Sequence, residues 1–297
     1  MSLVGDFQIA GGSVRGSSHI AIDKSSQDAY VWRFFPDYII AVVCDGCGSG
    51  RHSEVGAKIG ARLIAKAIEE NYKLFMDQPI NLFKPEPPYP FWDRVKQDVL
   101  AQLRVLAKAM GGSLSQTVTD YFLFTTVGFL VTPIGTVTFS IGDGVFVVNG
   151  EVKPVGPFPN NEPPYIAYHL TGSRVLDANP ELGDFQVHHL LKTDEVQSIL
   201  IGCDGVVDFI KAENNKVPGK EKLVGPISQF YEEDRFFKNP DMVRRTLAIV
   251  NKPSQKIDWD GRIIKREKGL LIDDTTLIVV RRKPEGKLVE VEPEQEK

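Results

Sequence analysis

The stretch "IIAVVCDGCGSG" (Ile39–Gly50) decides how the rest of the chain is read. One reading is a C-x-x-C, Cys44 to Cys47, a spacing used by redox proteins and zinc sites. The other is a buried strand, apolar without interruption from Ile39 to Val43, that ends in an acidic residue and a glycine turn. A zinc site needs a second closely spaced pair of ligands. The one further cysteine is Cys203, and His19, His52, His169, His188 and His189 show no finger-like spacing to it. A thioredoxin-type motif would open a helix with its first cysteine exposed, whereas Cys44 continues a strand. Cys203 holds the same place in "SILIGCDGVV". Both cysteines therefore read as small buried hydrophobes ahead of an aspartate, and the chemistry expected here is oxygen's.

The same pattern recurs. An apolar strand followed by Asp-Gly occurs in "IIAVVCDGCGSG", "VTFSIGDGVF" and "SILIGCDGVV", and Asp273-Asp274 interrupts "GLLIDDTTLIVV". One Asp-Gly after a strand is usually a turn; three of them, plus an in-strand Asp-Asp, are much harder to read that way. A carboxylate at the end of a buried strand is costly unless something compensates it. The glycine beside it lets the backbone turn, so that its carbonyl can face the same way as the side chain. Several such ends brought together make an oxygen-rich, negative pocket suited to hard divalent cations such as Mg²⁺ or Mn²⁺.

The flanking sequence sets the architecture. "SEVGAKIGARLIAKAIEENYKLF" places Val55, Ile59, Leu63 and Ala67 at helical spacing behind Ser53 as N-cap. A proline-rich connection, Ile80 to Pro90, leads to a second helix, "FWDRVKQDVLAQLRVLAKAM", which stops at Gly111-Gly112. From about Tyr121 the segments "YFLFTTVGFLVTP", "GTVTFSIGDGVFVVNGEV" and "FQVHHLLKT" predict strands, with Asn149-Gly150 as a hairpin turn. Residues 211 to 240 read as an irregular insertion and "NPDMVRRTLAIVNK" as a helix. "GRIIKREKGLLIDDTTLIVVRRK" reads as a closing, hairpin-like pair of strands. This order predicts an α+β fold, an antiparallel sheet covered by helices. One domain is expected over residues 1–283, with 284–297 an acidic solvated tail.

Composition narrows the function classes. A chain of 297 residues, 42% hydrophobic and 25% charged, can bury a large core. A net charge of −4 argues against a nucleic-acid partner. No run of 18 apolar residues suggests a membrane span, and "MSLVGDFQIAGGS" lacks a signal-peptide pattern. Three cysteines are too few for a disulfide framework, so a reduced, cytoplasmic protein is expected, acting as a monomer.

With these pieces in order, the sequence resembles the PP2C-type (PPM) metal-dependent protein serine/threonine phosphatases, in their bacterial-like branch. "SSQDAY", "VVCDGCGSGRHSEVGA", "TTVGFLV", "FSIGDGVFVV", "LIGCDGVVD" and "IDDTTLIVV" are similar to the family's ordered motifs, over roughly Gly16 to Arg282. The resemblance implies a central antiparallel β-sandwich flanked by helices, in α–β–β–α layers. It implies that Asp45 bridges two Mn²⁺ or Mg²⁺ ions, with the Gly46 carbonyl on one of them, while Asp204 and Asp273 complete the other. Asp143 would help to bind a third, weaker ion, and Asp28 would act close to the metals through water or a hydrogen bond. Asp274 stands where the family usually has Asn, which makes Asp273 the expected ligand. The implied reaction is hydrolysis of phosphoserine and phosphothreonine on a phosphoprotein substrate by a metal-activated water.

The chain also departs from the family pattern. Asp23 stands where many members carry a phosphate-gripping Arg, Cys47 where a His often follows the Asp-Gly, and Gln27 in place of a Glu. Lys24, His19, His52 and Arg15 are the candidates for the missing positive charge or proton. Two alternatives therefore accompany the phosphatase reading: a PP2C-like binding module that has lost turnover, and a hydrolase of small phosphate esters. The stretch between Asp208 and Pro240 is expected to form a flap near the site.

Overall fold

In a computed structural model, described over residues 6–75, 90–259 and 261–283, two five-stranded antiparallel sheets lie face to face. One sheet has the order β2 (Asp28–Phe34), β3 (Ile39–Gly46), β4 (Phe124–Thr132), β5 (Gly135–Ile141), β8 (Gln186–Leu191). The other runs β1 (Phe7–Val14), β12 (Thr275–Arg282), β9 (Ser198–Gly202), β6 (Gly144–Val148), β7 (Glu151–Val155). The apolar run of β3 is continuous because both of its faces are buried. Ile39, Ala41 and Val43 meet Ile199, Ile201 and Ile278 in the layer between the sheets. Ile40, Val42 and Cys44 face a helical layer instead. Each fully buried aliphatic side chain contributes roughly 1.5–3 kcal/mol of transfer free energy.

That helical layer comprises α2 (Ser53–Phe75), α3 (Pro90–Met110) and α4 (Leu114–Tyr121). The helical spacing read in α2 holds, but its buried stripe is Ala57, Ala61, Ile64 and Ile68, with Ile59 and Leu63 on the flank. The small residues face the sheet and let the helix lie close to it. Ser53 begins the helix rather than capping it, and its hydroxyl donates to Cys47 O at 2.8 Å. The proline-rich connection before α3 lies outside the described residues, as does the acidic tail.

The outer face of the second sheet is covered by α7 (Val206–Lys211), α8 (Gln229–Glu232), α9 (Arg235–Lys238) and α10 (Met242–Val250). Three short helices, α1 (Ser17–Ala21), α5 (Tyr168–Thr171) and α6 (Arg174–Ala178), sit in loops. Asn149-Gly150 joins β6 to β7 as expected, with φ of 50° and 90°. The stretch from 211 to 240 buries Val217, Val224, Phe230 and Phe236 in this outer core.

One strand pairing differs from expectation. β11 (Ile263–Glu267) pairs with β10 (Ser254–Asp258) in a separate two-stranded ribbon, not with the last strand. Both edges of β12 are taken, by β1 and β9. The chain entering β12 is pinned to the end of α10, where Leu271 N donates to Asn251 Oδ1 at 3.2 Å. No helix among the described residues is long and apolar enough to cross a membrane.

Candidate active site

Every acidic strand end singled out in the sequence arrives at one end of the sandwich. Asp45 continues the inward-facing alternation of Ile39, Ala41 and Val43, and its register places it opposite Asp28 on β2 and Thr125 on β4. Asp143 lies between β5 and β6, Asp204 just past β9, and Asp273-Asp274 just before β12. Together with His19 and the Gly46 backbone, Asp45, Asp143, Asp204 and Asp273 line a cavity of about 260 Å³. Neither Lys nor Arg is among the described residues that line it. Asp28 is buried behind Asp45, outside the cavity lining: one oxygen of each carboxylate and the Cys203 sulfur lie within 4.8 Å of one another.

Concentrated negative charge in a desolvated space raises the carboxyl pKa values. Burial pushes Asp45 well above the usual range, and the charges of Asp28, Asp204 and Asp273 add to this. Burial takes Asp28 to about 7, although hydrogen bonds from Thr276 and Cys203 oppose the rise. Asp143 reaches about 6, through burial and then the charge of Asp204. Asp204 is raised by burial and by Asp273. Asp28 Oδ2 accepts from Cys203 Sγ at 3.1 Å, while its Oδ1 is buried with no hydrogen-bond partner.

The two adjacent aspartates divide their work. Asp274 is buried and its oxygens are committed to backbone: Oδ1 accepts from Gly16 N at 2.7 Å and Oδ2 from Gln27 N at 2.6 Å. His19 Nδ1 stands 3.0 Å from the same Oδ1. Asp274 thereby ties α1 and the start of β2 to the start of β12. Asp273 is exposed to the cavity, held by the Asp274 amide at 2.8 Å. Gln27, at the position of the family's Glu, donates from Nε2 to Cys47 O at 3.1 Å and to Ser53 Oγ. It braces the loop after Asp45.

The other candidates separate. Lys24 Nζ donates to Gly48 O at 2.8 Å, on the cavity rim. His19 lines the cavity. His52 is not among its lining residues: the ring stacks on Tyr121 at 5.1 Å and Nδ1 lies 3.7 Å from Glu54. Arg15 pairs with Asp23 at 3.3 Å. Cys44 and Cys203 are buried, as expected, and Cys47 lies half-buried on the cavity wall, its Sγ 3.1 Å from Ser49 Oγ. No residue between Phe209 and Pro240 reaches the cavity, so the expected flap covers the outer sheet instead. The far wall is a segment the sequence reading passed over, with Asn161, Pro163 and Tyr165. Consecutive Asn160 and Asn161 at positive φ mark it as a shaped loop, and "PNNEPPY" was the available signal.

Three solved structures share the fold at low identity. A serine/threonine phosphatase, Stp1, from Staphylococcus aureus is 13% identical over 93% of this chain and 95% of that one, with a TM-score of 0.51. A serine-threonine phosphatase 2C from Toxoplasma gondii is 13% identical over 94% and 95%, with a TM-score of 0.52. A bacterial serine phosphatase is 14% identical over 93% and 98%, with a TM-score of 0.50. A sequence search of curated proteins finds no match. The α–β–β–α layering expected from the sequence is that of these neighbours. A family model for protein phosphatase 2C matches residues 15–249, so the chain belongs to the protein phosphatase 2C family.

Proposed function

We propose that the protein is a metal-dependent phosphatase that hydrolyses phosphoserine and phosphothreonine on proteins at a binuclear Mn²⁺ or Mg²⁺ centre. The observation that carries this reading is the convergence of four aspartates, with Asp28 behind Asp45, on one cavity whose described lining holds no Lys or Arg. Raised carboxyl pKa values and the orphaned Asp28 Oδ1 are what a site awaiting hard cations would show. Asp45, the Gly46 carbonyl, Asp204 and Asp273 would hold two ions, and Asp143 would serve a weaker third. Bound there, such ions supply a nucleophilic water at neutral pH and polarise phosphoryl oxygens.

The chain's own groups do the rest. Asp28 Oδ1, buried behind Asp45 without a hydrogen-bond partner, is an acceptor left for a proton. Lys24 at the rim and His19 on the wall provide donors for the phosphate dianion where the family's Arg is missing. Cys47 and Tyr165 are two of the protic groups on the wall, with Ser49, Thr125 and His19, from which a leaving alkoxide could draw a proton. Aligning these groups requires the loop 47–53, which Gln27 and Ser53 hold in place.

The test is steady-state hydrolysis of a phosphothreonine peptide with Mn²⁺. Asp45→Ala is expected to lower kcat/KM by about 10³-fold or more, since several kcal/mol of electrostatic stabilisation depend on the ions. Equal activity in Asp45→Ala, or with chelator, overturns the reading. Tight Mn²⁺ binding by calorimetry without turnover of any phospho-substrate would assign the fold to docking. Preference for a nucleotide over the phosphopeptide would assign it to small esters.

A further inference from the structure

The β10–β11 ribbon belongs to none of the three cores. It pairs with no third strand among the described residues, and both strands are exposed along most of their length. Its register sets Lys256 opposite Lys265 and Ile257 opposite Ile264. Directly opposed residues share a face, and successive residues alternate faces. One face therefore presents Ile257 and Ile264, 56% and 55% exposed, continued by Trp259 at 80%. The other presents Lys256 and Lys265 together with Asp258, Ile263 and Glu267, while Gln255 and Arg266 share the isoleucine face. Lys265 meets Asp258 at 2.8 Å, a partly exposed pair that another carboxylate can compete with. Residues 252–268 hold six lysines and arginines against three acidic residues, in a protein whose net charge is −4. Lys216, Lys220 and Lys222 lie on the neighbouring loop, whose Gly219 amide donates to Glu267 of β11. Single exposed apolar residues are ordinary; a cross-strand isoleucine pair continued by a tryptophan marks a contact surface.

We propose that the β10–β11 ribbon is a docking arm for an extended segment of a partner protein in which acidic and apolar residues alternate. Added as a third strand, such a segment sends side chains to both faces of the ribbon. Its apolar residues extend the surface of Ile257, Ile264 and Trp259, and its carboxylates meet the face of Lys256 and Lys265. A lipid surface fits the arrangement poorly. Burying the apolar face in a bilayer would turn Lys256 and Lys265 away from the headgroups.

The arm's base is tied to the chain segments that lead to His19 and Asp273 on the cavity wall. Asn251, three residues before β10, donates to Arg15 O at 2.8 Å and accepts from Leu271 N, two residues short of Asp273. A groove of about 440 Å³ lined by Arg15, Ile20, Arg244, Lys252 and Pro253 leads from α1 to the ribbon's base. His19, on the same short helix, faces the cavity. A segment held by the arm thus belongs to a protein presented to the cavity, its substrate; that last step rests on the proposed phosphatase activity, whereas the docking does not.

The test titrates the full chain, with chelator present, with a labelled synthetic peptide of alternating valine and glutamate. Saturable binding with a blue shift of tryptophan emission is expected, because Trp259 is far more exposed than Trp32 or Trp92. Ile257→Ser/Ile264→Ser and Lys256→Glu/Lys265→Glu should each weaken binding at least about tenfold, with circular dichroism unchanged, and a valine–lysine peptide should not bind. Binding that neither double variant alters overturns the arm. So does stronger binding to phosphatidylserine vesicles than to the peptide, which gives the surface to a membrane. A dimer abolished by Ile257→Ser/Ile264→Ser overturns it too, giving the face to a second copy. With Mn²⁺, a phosphothreonine peptide joined to the alternating segment should show a KM about tenfold lower than the short peptide, a gain lost in both ribbon variants. Equal KM values overturn the substrate assignment. Hydrolysis of neither peptide overturns the phosphatase reading alone, because the titration with chelator decides the arm.

Discussion

Cys-Asp-Gly is spelled twice at strand ends, at residues 44–46 and at 203–205, and the two copies do different work. β3 continues through Gly46, so Cys44 points to the helical layer and Asp45 points between the sheets. β9 ends at Gly202, so Cys203 keeps the inward direction and Asp204 turns off beyond the strand. Cys44 is a packing residue 3.4 Å from Thr126 Oγ1, its thiol pushed up to about 12 by burial. Cys203 is a wiring residue: it donates to Asp28 and to Asp274 O, and accepts from Thr276 N at 3.2 Å. A motif can thus specify which end of a sandwich it marks, while the length of the strand decides which layer each side chain enters.

The glycines separate the copies most sharply. A Cβ on Gly205 would stand 2.0 Å from Asp274 O, and one on Gly46 would stand 2.8 Å from the Ser53 backbone. Relieving the first clash means moving the residue that ties Gly16 and Gln27 to the site. Gly205→Ala is expected to cost about 3 kcal/mol or more and Gly46→Ala about 1–2 kcal/mol, read from urea unfolding. Equal losses would mean that the two turns are interchangeable, and would break the comparison.

What could be read from the sequence follows the same physics. β3 and β9 were legible because a strand buried on both faces must be apolar throughout. The aspartates were legible because charge at such a strand end needs a reason. β1 was missed: Gly11-Gly12 interrupts "FQIAGGSV" and weakens its strand signal. The division between Asp273 and Asp274 was expected only from the family's Asn. Its physical basis, two backbone amides from residues 16 and 27, spans about 250 positions that no local pattern connects. His52 lies outside the cavity lining and the expected flap covers the outer sheet for the same reason, since a residue's neighbour in sequence does not fix the layer it faces. β11 pairs back with β10 rather than forward because the edges of β12 are filled by strands distant in the chain.

Charge gives the next contrast. Asp45 is raised well above the ordinary carboxylate range, and Asp204, more open to the cavity, is raised too. A folded-state pKa above the unfolded value means that the folded protein holds the proton longer. Stability is therefore lost as pH rises from about 4 toward 7, the window spanned by Asp143 and Asp28 at about 6 and about 7. Without metal, Asp45→Asn should stabilise the protein by about 1–2 kcal/mol at pH 7 and by nearly nothing at pH 4, with a smaller gain for Asp204→Asn. Melting with chelator at the two pH values measures this, and under the proposed metal centre Mn²⁺ should reverse the order, since wild type alone keeps every proposed ligand. A gain that persists at pH 4 would show that charge is not its cause.

The cysteines offer the smallest effect and the finest discrimination. Cys44→Ala and Cys203→Ala each remove one buried sulfur and should each cost about 1 kcal/mol of stability, so unfolding alone cannot tell them apart. Calorimetric titration with Mn²⁺ can. Cys44→Ala leaves the Asp45 environment untouched on the cavity side and should bind Mn²⁺ as wild type does. Cys203→Ala takes a donor from Asp28 Oδ2, loosening a carboxylate that faces Asp45 across the β2–β3 pair. Loss of a group that orients a ligand's neighbour typically costs about 10-fold in metal affinity. If both variants lose affinity alike, the sulfur of Cys44 reaches the site through β3, and the different directions of the two cysteines do not explain their roles. If neither does, Asp28 is held by Thr276 and the strands alone, and Cys203 is only a second packing residue.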